Sequence, residues 1–193
     1  IILGLESPHT GNITVLGDKP EKVRSKIGYV AQKPEVNRNF PISVRDAVLL
    51  GRMGATNFFG AYSDFDKQIT NEILSILTIQ DNTKKKLGEL SGGQLQRVRI
   101  ARALVCQQEI LILDEPTANI DLITEENIFQ LLKDYDFNMT ILVVSHDVAF
   151  ISSYVDRVAC VNKKLICHDV ASVNGKTIEE LYGIDINMIH HAH

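Results

Sequence analysis

The sequence reads LSGGQ at residues 90–94 and ILILDEP at residues 110–116. The four aliphatic residues that open the second stretch predict a strand that is buried on both faces of a sheet. Two carboxylates, Asp114 and Glu115, follow that strand directly. Because open α/β sheets bind their ligands at the carboxyl ends of the strands, we expect both side chains to lie in a functional site.

The LSGGQ stretch predicts the start of a helix that continues to Val105. Unpaired backbone N–H groups and the positive end of the helix dipole face outward at such a start and attract an anion. Glycines let the backbone approach a phosphate oxygen closely, and a serine hydroxyl can donate a hydrogen bond or cap the helix. Ser91, Gly92, Gly93 and Gln94 are therefore candidate phosphate-binding residues. The alternative is an ordinary helix start.

Strands and helices alternate along the chain. Strands are predicted at residues 27–31, 110–113 and 140–144, helices at 44–50, 69–77, 91–105, 121–135 and 147–154, and a hairpin at 157–162 and 165–168. This order is typical of an α/β fold with a largely parallel sheet. Residues 33–90 interrupt the alternation, and we expect them to form a helical insertion.

Composition indicates one globular domain. The 193 residues are 45% hydrophobic and 23% charged, which is enough to bury a core. The formal net charge of −4 argues against a nucleic-acid partner. No apolar run reaches the 18 residues that a membrane span needs, so any membrane role would come through a partner. Cys106, Cys160 and Cys167 show no zinc-site spacing and are expected to be small core residues.

The LSGGQ and LDEP stretches, together with VSHD at residues 144–147, resemble the ATP-binding-cassette (ABC) family. The resemblance implies a P-loop NTPase-like α/β fold that binds and hydrolyses ATP as a homodimer. In this family the LSGGQ segment contacts the γ-phosphate of ATP that is held by the opposite subunit. The resemblance also implies that Asp114 holds the Mg²⁺ of Mg-ATP and that Glu115 is the general base.

Three further positions gain a role through the resemblance. His146 follows the strand at residues 140–144, so it should lie beside Asp114 and Glu115 and contact the γ-phosphate. Gln32 ends the first predicted strand, and its amide oxygen can reach Mg²⁺ or the attacking water. Asn119 and Asp121 are similar to the loop that crosses the dimer interface, although Asp121 can equally be a helix N-cap.

The phosphate-binding loop of this family, GxxxxGK[ST], does not occur in these residues. Gly175, Lys176 and Thr177 match only its end, because Val170 stands where the first glycine belongs. Residues 1–17 are similar to the segment that follows this phosphate-binding loop in the family, so we expect Ile1 to be an internal start. On this interpretation residues 1–193 form one ABC domain without its first strands, with a helical insertion at residues 33–90 and a hairpin and tail at residues 156–193. We expect such a chain to hydrolyse ATP poorly.

The stretches at residues 28–52 and 151–165 are similar to importers of zinc, manganese or iron chelates. This similarity implies integral membrane permease subunits, an indirect link to an extracytoplasmic solute-binding protein, and a position on the cytoplasmic face of the membrane. Residues 40–53 are the candidate docking surface for the permease, and internal packing is the alternative. His190, His191 and His193 can chelate a metal or form a solvated tail.

Two other classes of function stay open. ABC ATPases also act in translation and DNA repair, without membrane subunits. A non-catalytic folded fragment is the other possibility. A single cassette, an insertion of modest length and the acidic balance favour transport over the first of these.

Overall fold

Strand β2 (Ile110–Asp114) is the centre of a three-stranded parallel sheet. It pairs with β1 (Ile27–Val30) on one side and with β3 (Thr140–Val144) on the other. Ile110 lies opposite Ile27 in one neighbour and Thr140 in the other. The parallel register places the carboxyl ends of all three strands at one edge of the sheet.

The computed structural model describes residues 1–32, 40–53, 62–116, 121–135, 137–146, 153–162 and 164–169. The chain divides into two units, residues 1–146 and 147–193. The first unit contains the parallel sheet and several helices, and the second contains an antiparallel pair of strands.

Both faces of β2 are covered, as the unbroken aliphatic run predicts. Leu111 and Leu113 are fully buried on one face. On the other face Ile112 packs in a cluster with Val15, Val23 and Ile27. The first part of the chain, including the short helix α1 (Pro20–Val23), therefore covers one face of the sheet.

Two helices begin at candidate site residues. Helix α4 (Gly92–Leu104) begins at the N-cap Ser91 and contacts both β1 and α5. Helix α5 (Leu122–Asp134) begins at the N-cap Asp121. Ile100 of α4 and Ile128 of α5 are fully buried, so hydrophobic packing fixes both helices to the core.

Helices α2 (Val44–Leu49) and α3 (Asp64–Ile76) lie between β1 and α4 in the sequence and pack against α4. Val44, Val48 and Leu74 are fully buried among these helices. Short 3-10 turns follow at Leu50–Arg52, Gln80–Asn82 and Leu87–Glu89, and another precedes β1 at Arg24–Lys26.

In the second unit, β4 (Arg157–Asn162) and β5 (Lys164–Asp169) form the predicted hairpin. They pair antiparallel, with Val161 opposite Leu165. Cys160 is buried and Cys106 is half-buried, but Cys167 is exposed on β5. The expectation that all three cysteines are core residues is therefore wrong for Cys167, because it lies on a stretch of β5 where the neighbouring Leu165 and Ile166 are exposed as well.

The α/β class with a largely parallel sheet is confirmed, and the predicted strands and helices of the first unit are present within a few residues. The largest difference is at α3, which begins five residues before the predicted residue 69. Ser63 and Asp66 form a reciprocal capping box there, in which each side chain accepts a hydrogen bond from the other residue's backbone. Most of the predicted helix at residues 147–154 lies outside the described residues. No helix in the described ranges has both the length and the apolar character to cross a membrane.

Candidate nucleotide-hydrolysis site

Three candidate residues follow the strand ends at one edge of the sheet. Asp114 ends β2 and Glu115 comes next. His146 lies two residues beyond the end of β3, and Gln32 lies two residues beyond the end of β1. The Glu115 amide donates to the Val144 carbonyl at 2.9 Å, which continues the strand pairing for one more residue.

Glu115 and His146 are in direct contact. Nδ1 of His146 lies 2.9 Å from Oε1 and 2.8 Å from Oε2 of Glu115. The Glu115 side chain is only 19% exposed, whereas the His146 side chain is 86% exposed. The predicted proximity of these two residues is confirmed. A partly buried carboxylate that faces an exposed imidazole is an arrangement that can accept a proton from water.

The backbone of Glu115 turns sharply at the end of β2. Its φ is 45°, in the left-handed region that non-glycine residues rarely adopt. The turn ends the strand immediately after Asp114, so the two adjacent carboxylates meet different neighbours.

Asp114 accepts a hydrogen bond from the neighbouring strand. The Tyr29 hydroxyl donates to Asp114 Oδ2 at 2.8 Å. This bond, followed by burial, raises the pKa of Tyr29 above its ordinary value of 10.0. Sequence reasoning missed Tyr29, because its contact with Asp114, 85 residues later in the chain, depends on the register of two parallel strands.

The signature residues, which are Ser91 to Gln94 of the LSGGQ segment, lie at the first turn of α4, as predicted. The Ser91 hydroxyl accepts from the Gln94 amide at 3.3 Å, and Gln94 Oε1 accepts from the Ser91 amide at 3.1 Å. This capping box engages both polar side chains with the backbone. Gly92 is exposed and Gly93 is half-buried, so the glycine backbone is the part of the turn that remains open to a ligand.

Asp121 caps α5. Its Oδ1 accepts from the Thr124 amide and its Oδ2 from the Thr124 hydroxyl, both at 2.9 Å. The backbone hydrogen bond, followed by the hydroxyl bond, lowers the pKa of Asp121 below 3.8. The N-cap role is therefore present, and it does not conflict with a place at a dimer interface. Asn119 lies outside the described residues.

Other expected features also fall outside those residues, namely Gly175, Lys176 and Thr177 and the terminal histidines. Within the ranges that the structure describes, no group of three or more His, Cys, Asp or Glu side chains could hold a metal ion. Any bound cation there would need ligands from elsewhere, such as the phosphates of a nucleotide.

The parallel sheet, the carboxylates at its edge and the LSGGQ helix define a nucleotide-binding α/β domain. Residues 1–118 match the model of the family described as ABC transporter. The chain belongs to the ABC transporter family, whose ATPase domain binds ATP.

Several relatives of this chain are ATP-binding proteins of metal transport systems. The manganese transport system ATP-binding protein of Listeria monocytogenes is 44% identical over 169 residues, which cover 86% of this chain and 70% of the relative. The corresponding protein of Halalkalibacterium halodurans is 40% identical over 168 residues, covering 86% and 67%. A zinc uptake system ATP-binding protein of Listeria innocua is 37% identical over 171 residues, covering 86% and 66%. The resemblance to the metal-importer branch is confirmed.

Solved structures agree with this assignment. A metal-chelate type ABC transporter in an inward-facing conformation matches with a TM-score of 0.81 and 27% identity, over 94% of this chain and 71% of that chain. A subunit of the cbiONQ ABC transporter complex from Clostridium perfringens matches with a TM-score of 0.76 and 28% identity, over 94% and 72%. The P-loop NTPase-like fold, with helices that flank a parallel sheet, is therefore confirmed.

Proposed function

We propose that this chain is the ATP-binding and ATP-hydrolysing subunit of an ABC importer for a transition-metal ion or metal chelate. The observation that carries the proposal is the placement of Asp114, Glu115 and His146 at one sheet edge. The names of the manganese and zinc transport relatives support the substrate class.

Glu115 is proposed as the general base. Its carboxylate accepts a proton from the water that attacks the γ-phosphate, a contribution of roughly 10²–10⁴ in rate for a well-placed base. When Nδ1 of His146 is protonated, it donates to this carboxylate and orients both oxygens. With ATP bound, the exposed imidazole contacts the γ-phosphate. Phosphoryl transfer depends mainly on such positioning and electrostatics, and no covalent nucleophile is needed.

Asp114 and Gln32 are proposed to hold the Mg²⁺ of Mg-ATP. The donor chemistry fits this ion, because Mg²⁺ takes oxygen ligands from one or two side chains together with phosphates and water. Asp114 is half-buried at the sheet edge and Gln32 is exposed beyond the end of β1. When bound, Mg²⁺ would neutralise charge on the phosphates. Tyr29 donates to Oδ2 of Asp114 and fixes the orientation of the carboxylate.

The first turn of α4 is proposed to contact ATP held by a second subunit. Ser91, Gly92, Gly93 and Gln94 would offer backbone N–H groups to the γ-phosphate at the positive end of the helix dipole. Asn119 and Asp121 would lie in the loop that crosses the same interface. The proposed active assembly is therefore a dimer of ATPase subunits with ATP between them.

Residues 40–53 are proposed to dock against a permease subunit. Phe40 is 57% exposed and Met53 is 62% exposed, so internal packing leaves much of both side chains uncovered. Internal packing accounts for the inner face of α2, where Val44 and Val48 are fully buried, and for the buried Arg52. Through the permease the subunit would lie on the cytoplasmic face of the membrane, linked indirectly to a solute-binding protein.

Co-purification from detergent-solubilised membranes tests this proposal. We expect an affinity-tagged chain to retain a polytopic membrane protein, and recovery of ribosomes or DNA in its place would contradict a transport role. In cells that contain the assembled transporter, Glu115→Gln should abolish manganese or zinc uptake. Glu109→Gln is the matched control, because Glu109 is exposed at the opposite end of β2 and pairs with Lys26. Equal uptake by the two variants would exclude Glu115 as the base.

A further inference from the structure

The first turns of α4 and α5 approach each other closely at Gly93 and Thr124. A Cβ atom placed on Gly93 would overlap Cγ2 of Thr124, and it would lie 3.4 Å from Cβ and 3.5 Å from Oγ1 of the same residue. Among the residues that the structure describes, only the methyl group of Thr124 is in conflict with a side chain at position 93. The absence of a side chain at Gly93 is thus required by a neighbour in the same subunit, independently of any nucleotide.

Asp121 determines where that methyl group points. Its two carboxylate oxygens accept separately from the amide and the hydroxyl of Thr124, each at 2.9 Å. Threonine carries its hydroxyl and methyl on the same carbon, so fixing one fixes the other. The bond from Oγ1 to Asp121 therefore holds Cγ2 towards Gly93.

We propose that Thr124 is a positioning residue for the LSGGQ turn: Asp121 sets the rotamer of Thr124, and the Thr124 methyl sets the position of Gly93. The first turn of α4 and the residues that open α5 then move as one body. A displacement of Asp121 is then transmitted through Thr124 to the backbone N–H groups at the start of α4. The consequence for ATP contact rests on the proposed function, whereas the packing relationship does not.

The contact predicts that the effect of Gly93→Ala on stability depends on the residue at position 124. Alanine is preferred to glycine inside a helix and restricts the unfolded chain, so the substitution should be neutral or stabilising where space permits. With the Thr124 methyl in place, the added Cβ forces either the side chain or the helix to shift. Thr124→Ser removes that methyl and keeps the hydroxyl that bonds Asp121.

The test compares the wild-type full chain with Gly93→Ala, Thr124→Ser and the double variant, all without ATP. We expect Gly93→Ala to lower the thermal midpoint by about 3–6 °C and the double variant to recover most of that loss. Gly92→Ala, at the exposed preceding position, is the matched control and should change the midpoint little. A loss in the double variant as large as in Gly93→Ala alone would overturn the proposal.

Amide hydrogen exchange provides the local measurement. The Gln94 and Leu95 amides hydrogen-bond Ser91 in the first turn of α4. They should exchange several-fold faster in Thr124→Ser and in Asp121→Ala. They should exchange near the wild-type rate in Asp121→Asn, whose amide oxygen can accept from the Thr124 amide while its NH₂ donates to Thr124 Oγ1. If the Gln94 and Leu95 amides exchanged at the wild-type rate in Asp121→Ala, the proposal that Asp121 acts on Gly93 through Thr124 would be wrong, even if Gly93→Ala failed to fold. Because no nucleotide is present, failure of the proposed ATPase role would leave these results unaffected.

Discussion

Arg52 forms a buried ion pair with Asp66, in which Nε lies 2.7 Å from Oδ1. Its Nη1 also donates to the Val105 carbonyl at 2.9 Å, and Phe65 lies with its ring centroid 5.7 Å from the guanidinium carbon. One side chain therefore joins the first turn of α3 to the last turn of α4. Since α4 begins with the LSGGQ segment, Arg52 fixes the end of the proposed docking surface to the signature helix.

Replacing Arg52 should destabilise the chain far more than replacing an exposed partner of an ion pair. In Arg52→Met, Asp66 stays buried without its cation and the Val105 carbonyl loses a donor. Lys26→Met breaks the exposed pair with Glu109, and such pairs contribute at most about 1 kcal/mol. Denaturant unfolding should show a loss several times larger for Arg52→Met. Equal losses would mean that the buried pair does not hold these helices together.

The Asp66 carboxylate should make stability depend on pH in the acid range. Hydrogen bonds from Ser63, together with Arg52, lower its pKa from 3.8 to about 2. Because the pKa is lower in the folded state, this stabilisation is present above pH 3.8 and is lost as the pH falls towards 2. The unfolding free energy of Asp66→Asn should be lower than that of the wild-type chain by a constant amount near neutral pH. This difference should shrink between pH 4 and pH 2.

Asp64 provides the control for that measurement. Its pKa is also lowered, mainly by the hydrogen bond from Lys67, but this pair is exposed at the surface. Asp64→Asn should therefore show a smaller change of the same sign. A deficit in Asp66→Asn that persists unchanged at pH 2 would contradict the assignment.

The bond between Tyr29 and Asp114 should be visible in the ionisation of the tyrosines. The raised pKa of Tyr29 means that its phenolate forms later than usual as the pH rises. We expect an ultraviolet titration to lose a late-ionising group in Tyr29→Phe and to show earlier ionisation in Asp114→Asn, which removes the acceptor's charge. Tyr135, whose pKa burial and Glu72 also raise, requires Tyr135→Phe as the control background. If the contribution lost on removing Tyr29 from that background ionised together with the ordinary tyrosines, the bond would be excluded.

Purified residues 1–193 should hydrolyse ATP slowly or not at all. The sequence contains no GxxxxGK[ST] segment, whose backbone N–H groups and lysine make most contacts with a triphosphate. A phosphate-release assay at saturating Mg-ATP measures this directly, and Glu115→Gln gives the background rate. Turnover typical of an enzyme, at about 1 per second or more, would show that other residues supply those contacts.

Local sequence signals predicted much of the fold. The aliphatic run before Asp114 predicted β2, and Ser91 and Asp121 predicted the starts of α4 and α5, because buried strands and N-caps are encoded by adjacent residues. The capping box at Ser63 and Asp66 is a local signal of the same kind, and it marks the start of α3.

The contact between Glu115 and His146 was also predictable, since both follow buried strands and parallel strands end at one edge. The catalytic roles of the two residues remain predictions. Contacts that depend on tertiary register could not be predicted, including Tyr29 with Asp114 and Gly93 with Thr124. A single sequence contains no information on which residues of distant elements lie opposite each other.

The pairing of β1 with β2 has a consequence for how the chain folds. Ile27 and Ile110 are partners, yet α2, α3 and α4 all lie between them in the sequence. Closing so long a loop costs conformational entropy before the strand contacts can compensate for it. We therefore expect the helices to form early and the assembly of the sheet to limit the folding rate. The edge that gathers Asp114, Glu115 and His146 would then be completed late in folding.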